Sequence, residues 1–218
     1  MKRKYEICNM QILVIGATDH EIEPFQGFNN QVDVLITGVG VPSTIYHLQK
    51  RLQQMDYDLI IQAGIAGSFN TTIPLGKVVM AKQDCFADLG IEEKGNFTPV
   101  FNTPLADKDE FPFANGWLVN SNKELAKSDL QSVKAITVNK VSDNELQKNQ
   151  FINIFKAEIE TMEGAALHYV CLLEGIPFLQ IRSISNYVGE RDKTKWKLKE
   201  AIENLNKELI TLINGLTN

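Results

Sequence analysis

At 218 residues, 44% hydrophobic and 22% charged, the chain is long enough for one full core and has an ordinary globular composition, which excludes disordered and fibrous classes. A net charge of −5, with Lys and Arg scattered along the chain, excludes the concentrated basic face that nucleic acid needs, though a basic pocket for one small anion remains open. No run nears the roughly 18 apolar residues of a membrane span, MKRKYEICNM lacks a signal-peptide core, and Cys8, Cys85 and Cys171 show no CxxC spacing, so a cytoplasmic protein with reduced thiols is expected.

Residues 1–9 read as an N-terminal extension to a single domain covering 1–218. The first apolar run, QILVIGA (11–17), predicts a strand that ends at Gly16-Ala17-Thr18-Asp19-His20-Glu21. VDVLITGVG (32–40) predicts a second, running into a glycine turn. In STIYHLQKRLQQM (43–55), Ile45, Leu48, Leu52 and Met55 share one face, with Pro42 and Ser43 as start signals for a helix. YDLIIQAGIAG (57–67) and KVVMAK (77–82) predict two more strands. The stretch 89–116 holds Pro99, Pro104 and Pro112 with Gly90, Gly95 and Gly116 and little periodicity. A connection of that length is usually a lid, a binding loop or an interface. KAITVNKV (134–141), AEIETM (157–162) and PFLQIRSIS (177–185) predict the late strands. EGAALHYVCLLEG (163–175), apolar nearly all round and closed by Gly175, predicts a buried helix. The tail from about 196 to 216 places Ile202, Leu205, Leu209 and Ile213 on one stripe of an outer helix.

Most of these strand segments are continuously apolar rather than alternating, the signature of strands covered on both faces. With helices between them they predict an α/β fold, a three-layer α/β/α arrangement around a central mixed, mainly parallel sheet. Ligands of such sheets sit beyond the carboxyl ends of the strands. There the sequence collects TGVG, AGIAG, two glutamates of ETME and the amide of SISN. The glycine turns fit close strand–helix packing as well as ligand approach, and neither matches a dinucleotide or triphosphate loop. Glu163 suits either a helix N-terminus or a carboxylate gripping vicinal sugar hydroxyls. Glu21, beside Asp19 and Glu23 in DHEIEPF, reads on sequence alone as part of a solvated first turn rather than as a site residue. His20, His47 and His168 lack metal-ligand spacing, and no catalytic triad is visible, so no cofactor or metal is expected.

The ordered segments IGATDHEIEPF, ITGVGVPSTIYHL, IIQAGIAGSF, ETMEGAA and IRSISNYVG resemble the purine nucleoside phosphorylase/nucleosidase superfamily from about residue 11 to 215, and within it the futalosine hydrolases. The resemblance implies hydrolysis of a nucleoside, futalosine, to hypoxanthine and dehypoxanthine futalosine in a menaquinone pathway. It maps Glu21 onto the water-activating carboxylate, and Glu163 with Met162 onto the ribose site. Asn186 falls on the purine-recognising position, beside the backbone around Val138–Val141. Ile65 and Gly67 fall in the turn that holds phosphate in phosphorylases, where Gln62 and Ile65 supply neither charge nor hydroxyl; Ser68 nearby leaves phosphorolysis open. Arg182 is expected either to orient Asn186 or to form a structural ion pair. Arg191, Lys193 or the 89–116 loop would meet the substrate's tail carboxylate. A small-molecule nucleoside is the expected partner, with no nucleic acid or membrane, and a homodimer or larger assembly is implied. Methylthioadenosine/adenosylhomocysteine nucleosidase, phosphorylase and non-catalytic nucleoside-binding readings are the alternatives.

Overall fold

A computed structural model describes residues 10–26, 32–122, 128–141 and 143–217; the expected extension at 1–9, with Cys8, lies outside them. The elements in chain order are β1 (Ile12–Gly16), α1 (Asp19–Gln26), β2 (Asp33–Ile36), α2 (Val41–Leu52), β3 (Leu59–Ser68), β4 (Val78–Asp84), β5 (Gly90–Glu93), β6 (Asn96–Pro99), β7 (Leu118–Val119), β8 (Gln131–Thr137), α3 (Glu145–Phe155), β9 (Ile159–Thr161), α4 (Gly164–Glu174), β10 (Phe178–Tyr187) and α5 (Leu198–Thr217).

The continuous apolar runs are strands buried on both faces, as the pattern predicts. Along β1, Ile12 and Val14 join Ile61, Ile22 and Phe25 of α1, and Leu205, Leu209 and Ile213 of α5 in one core. Leu13 and Ile15 point the other way, onto Leu48 of α2 and Leu167 and Val170 of α4. Successive strand residues alternate faces, so both sets must be apolar. Helix α4 is buried nearly all round, as its composition requires. On α5 the expected stripe is buried at Leu205, Leu209 and Ile213, while Ile202 turns toward a cavity.

The sheet is mixed and eight-stranded, ordered β10-β4-β8-β9-β3-β1-β2 with β7 on β4. It has one property the sequence pattern did not reveal. Strand β10 pairs with β4 and also with β3, so β3, β10, β4, β8 and β9 return on themselves as a closed ring. Strand β3 is long enough to have two partners along one edge: β1 over Leu59–Gln62, then β9 at Gly67 and Ser68. Between these the edge of residues 63–66 is left without a strand. That gap is a switch point of the kind at which α/β sheets bind ligands.

Two expectations change. Helix α3 was not predicted; its apolar residues form no broad stripe, only Phe151 is fully buried, and its start is set by Asn144, whose side chain accepts from Leu146 N and Gln147 N. The 89–116 stretch is not wholly irregular. It contains the β5–β6 hairpin, joined to α3 by Phe97 against Phe151, and Phe101 and Phe113 stack toward Tyr169 of α4. The hairpin is mostly exposed, so no alternating apolar face marks it.

Candidate active site

The gap on β3 is closed by a side chain. Glu21, in the first turn of α1, accepts a hydrogen bond from Ile65 N at 3.0 Å through one carboxylate oxygen. Its other oxygen accepts from Thr18 N at 3.1 Å and from Thr18 Oγ1 at 3.2 Å. An amide that a strand would have paired thus fixes a carboxylate, because buried backbone N–H groups must find acceptors. A side chain at Gly64 would strike Arg182 Nη1 and Glu21 Oε1; glycine there permits the approach.

Glu163 comes to the same place from the opposite side. It is the N-cap of α4 and 8% exposed, and its Oε1 accepts from Gly40 N at 2.9 Å. Gly40 holds φ 90°, a conformation that glycine adopts without strain. Burial pushes the Glu163 pKa up, while Arg182 and the Gly40 N–H pull it back and the charge of Glu21 adds to the rise.

Glu21, Ile65, Gly67, Val141, Met162, Glu163 and Asn186 all line one cavity of about 430 Å³ with a largely apolar wall. Seven of the eight residues expected at a site are therefore brought together. Arg182 is the exception: it is 2% exposed and lies beneath the cavity, not in its lining. Its Nη2 donates to Gln62 Oε1. Burial lowers its pKa, and the charges of Glu163, Glu21 and Asp84 oppose that. Arg182 does not orient Asn186, because its side chain crosses to β3 at Gly64 and Gln62.

Ser185 holds Asn186 instead. Its hydroxyl donates to Asn186 Oδ1 at 2.9 Å, and the Tyr187 carbonyl, which can only accept, requires the amide nitrogen on the other side. Asn186 Nδ2 donates to Tyr187 O at 3.2 Å, leaving its second hydrogen for another acceptor. Ser68 is fully engaged: it donates to Asn70 O and accepts from Asn70 N, and it does not line the cavity. Of the groups expected at the tail, Arg191 lines the cavity, whereas Lys193 and the 89–116 loop do not. His168 is a core residue, its Nδ1 at 2.9 Å from Leu118 O.

Sequence reasoning placed three participants at strand ends without giving them a role: Thr18, Ser185 as the holder of the amide, and Glu160, which is 7% exposed and lines the cavity. The available signal for Glu160 was its spacing of two from Met162 at a strand end.

Comparison with known proteins matches residues 12–214 to a family model described as the phosphorylase superfamily. A futalosine hydrolase of Streptomyces coelicolor is 31% identical over 176 residues, spanning 78% of this chain and 73% of that one. A 5′-methylthioadenosine/S-adenosylhomocysteine nucleosidase of Buchnera aphidicola is 26% identical over 203 residues, spanning 85% and 78%. The solved structure of a futalosine hydrolase from Helicobacter pylori superposes with a TM-score of 0.80 at 18% identity, covering 96% of this chain and 100% of that one, a likeness of fold.

Proposed function

This chain belongs to the phosphorylase superfamily, and from that premise we propose that it is an N-ribosyl hydrolase, a nucleosidase that cleaves futalosine to hypoxanthine and dehypoxanthine futalosine in menaquinone synthesis. The observation that carries the reading is the convergence of two separately held carboxylates, Glu21 and Glu163, with the Asn186 amide on one apolar cavity.

Cleavage of a ribose–purine bond passes through an oxocarbenium-like sugar. Glu21, fixed by Ile65 N and Thr18, positions a water and takes one of its protons. The water oxygen bonds to C1′ as the C1′–N9 bond breaks, and the bonding pair leaves on the purine. The proton held by Glu21 then returns to hypoxanthine, so atoms and charge balance. Glu163 accepts from the ribose hydroxyls and Met162 packs on the sugar. Asn186 donates its remaining hydrogen to the five-ring nitrogen of hypoxanthine, shared with the neighbouring carbonyl oxygen, as charge develops there.

Water is favoured over phosphate because Gln62 is neutral and its carbonyl is given to Arg182, Ile65 has no hydroxyl, and Ser68 is committed to Asn70. The amide at 186 favours a 6-oxopurine, since an ionised acid there would face lone pairs. That weighs against methylthioadenosine as substrate. We take the working form to be a homo-oligomer whose neighbour helps to close the tail end.

The test is to supply futalosine, inosine and methylthioadenosine with and without phosphate and identify the base by chromatography. Hypoxanthine release from futalosine without phosphate is expected. A strict phosphate requirement overturns the hydrolase reading. Glu21→Ala should lower kcat by at least about 100-fold, the scale of a lost general base.

A further inference from the structure

We infer that Glu160 reads the six-membered edge of the purine, accepting the N1–H that a 6-oxopurine has and a 6-aminopurine lacks. The inference rests on the nucleosidase reading and deepens it by naming what selects the base.

Three strands place the residue. Glu160 of β9 is in register with Gly67 of β3, and Gly67 is in register with Asn186 of β10. Register neighbours on adjacent strands project to the same face. The Cα atoms of Glu160 and Asn186 therefore stand about 10 Å apart, two strand spacings, across a residue without a side chain. A methyl on Gly67 would fall 3.0 Å from Val188 Cγ2 and 3.5 Å from Asn186 Nδ2, so glycine keeps the floor between the two flanks open. All three residues line the cavity. A flat heterocycle lying over Gly67 presents one edge to the amide and the other to the carboxylate.

Glu160 also lacks any other occupation. It is 7% exposed and has no hydrogen-bond or ion-pair partner among the described residues. Its carboxylate oxygens are not among the fully buried polar atoms that lack a partner; they open onto the cavity that Glu160 lines, where a ligand can supply the hydrogen bond. Burial pushes its pKa up to about 7; the charge of Arg191 works against that and the charge of Asp88 adds to it. When ionised, the group only accepts hydrogen bonds. It then matches N1–H of hypoxanthine and faces a lone pair at N1 of adenine. Asn186 alone reads the five-ring side and the carbonyl, so the two residues together bracket the position at which the two purines differ.

Glu160→Gln tests this with little change of shape. Two quantities are measured: kcat/KM for futalosine against its 6-amino analogue, and calorimetric affinity for free hypoxanthine against free adenine. In the unmodified protein the 6-oxo form should lead by at least about 100-fold. The Gln amide can accept or donate, so E160Q should lower that lead by roughly 10-fold or more, through KM and Kd, with kcat within about threefold. The KM for futalosine should fall as pH rises through about 7, and E160Q should flatten that profile. Glu160→Leu, which has no polar atom, should erase the preference; if it does not fold, E160Q alone decides.

An unchanged 6-oxo preference in E160Q overturns the assignment and leaves Glu160 as a counter-charge for Arg191. Failure of the unmodified protein to hydrolyse any 6-oxopurine nucleoside overturns the proposed function instead. The hypoxanthine-against-adenine affinities still judge Glu160 in that case.

Discussion

At position 186 an amide stands where an acid would be able to hand the purine a proton, and the Tyr187 carbonyl, which can only accept, fixes which of its two ends is the nitrogen, with the Ser185 hydroxyl on the oxygen. Replacing Asn186 by Asp exchanges a donor for a second acceptor and sets it against the lone pairs of hypoxanthine. Asn186→Asp should therefore lower kcat/KM for the hypoxanthine nucleoside by about 10–100-fold, as a mismatched buried hydrogen bond does. Activity on an adenine nucleoside should hold or rise. Steady-state kinetics on both substrates checks this, and equal losses on both would assign Asn186 to packing. The amide itself was legible in SISN as a polar end to an apolar strand. Its orientation was not, because the choice between the two ends of an amide depends on which neighbour can only accept from it, and no spacing in the sequence states that.

Helix α1 shows how an element with a weak sequence signal is made dependable. It is eight residues long, carries Pro24 inside, and in isolation would be marginal. Ile22 and Phe25 are buried, and the backbone is spliced by a side chain from the far end of the chain. Asn206 of α5 accepts from Phe25 N at 3.0 Å and donates to Glu21 O at 2.8 Å, the two groups that a regular helix would pair with each other. The same asparagine therefore steadies the residue that holds the water. Asn206→Ala should cost about 1–3 kcal/mol of stability, the range for unsatisfied buried polar groups. It should also lower kcat several-fold with little effect on KM, since Glu21 is loosened while the ribose and base contacts stay. Denaturant melts and steady-state kinetics test the two halves separately. In sequence, DHEIEPF gave only an acidic turn, and nothing there pointed to an asparagine 185 positions away.

Beneath the cavity the molecule buries a second set of ionisable groups whose titration belongs to the fold as a whole. Asp84 is fully buried and accepts from Cys85 N, Thr137 Oγ1 and Gln180 Nε2. Burial nevertheless pushes its pKa up to about 7, against the help of Gln180, Thr137, Arg182 and Cys85. The folded protein therefore binds more protons at this group than the unfolded chain between about pH 4 and 7, and its contribution to stability is complete below that window and is lost as pH rises through it. Glu160 acts in the same direction. His168 opposes them, because burial lowers its pKa to about 4 and its contribution is lost as pH falls. Two raised carboxyls against one lowered histidine predict a net loss of stability as pH rises from about 4 to 7. Asp84→Asn should flatten that slope, read as the denaturation midpoint across the range. An unchanged slope would remove Asp84 from the account.

The layered fold was already present in the order of apolar runs. Continuous burial-grade stretches at β1, β3 and β10 mean helices on both faces, and that inference needs only the alternation of side chains along a strand. The carboxylates of Glu21 and Glu163 and the amide of Asn186 were likewise visible as polar groups at strand ends. The sequence by itself therefore determined which residues are available and on which elements they lie. Tertiary structure alone decided the closure of β3, β10, β4, β8 and β9 into a ring, the gap on β3 that Glu21 fills, and the row of Glu160, Gly67 and Asn186. It also took Arg182 out of the cavity. These all depend on register between strands that lie far apart in the chain. Register is set by long-range pairing and the packing of whole faces, and a shift of one residue would turn every side chain to the other side.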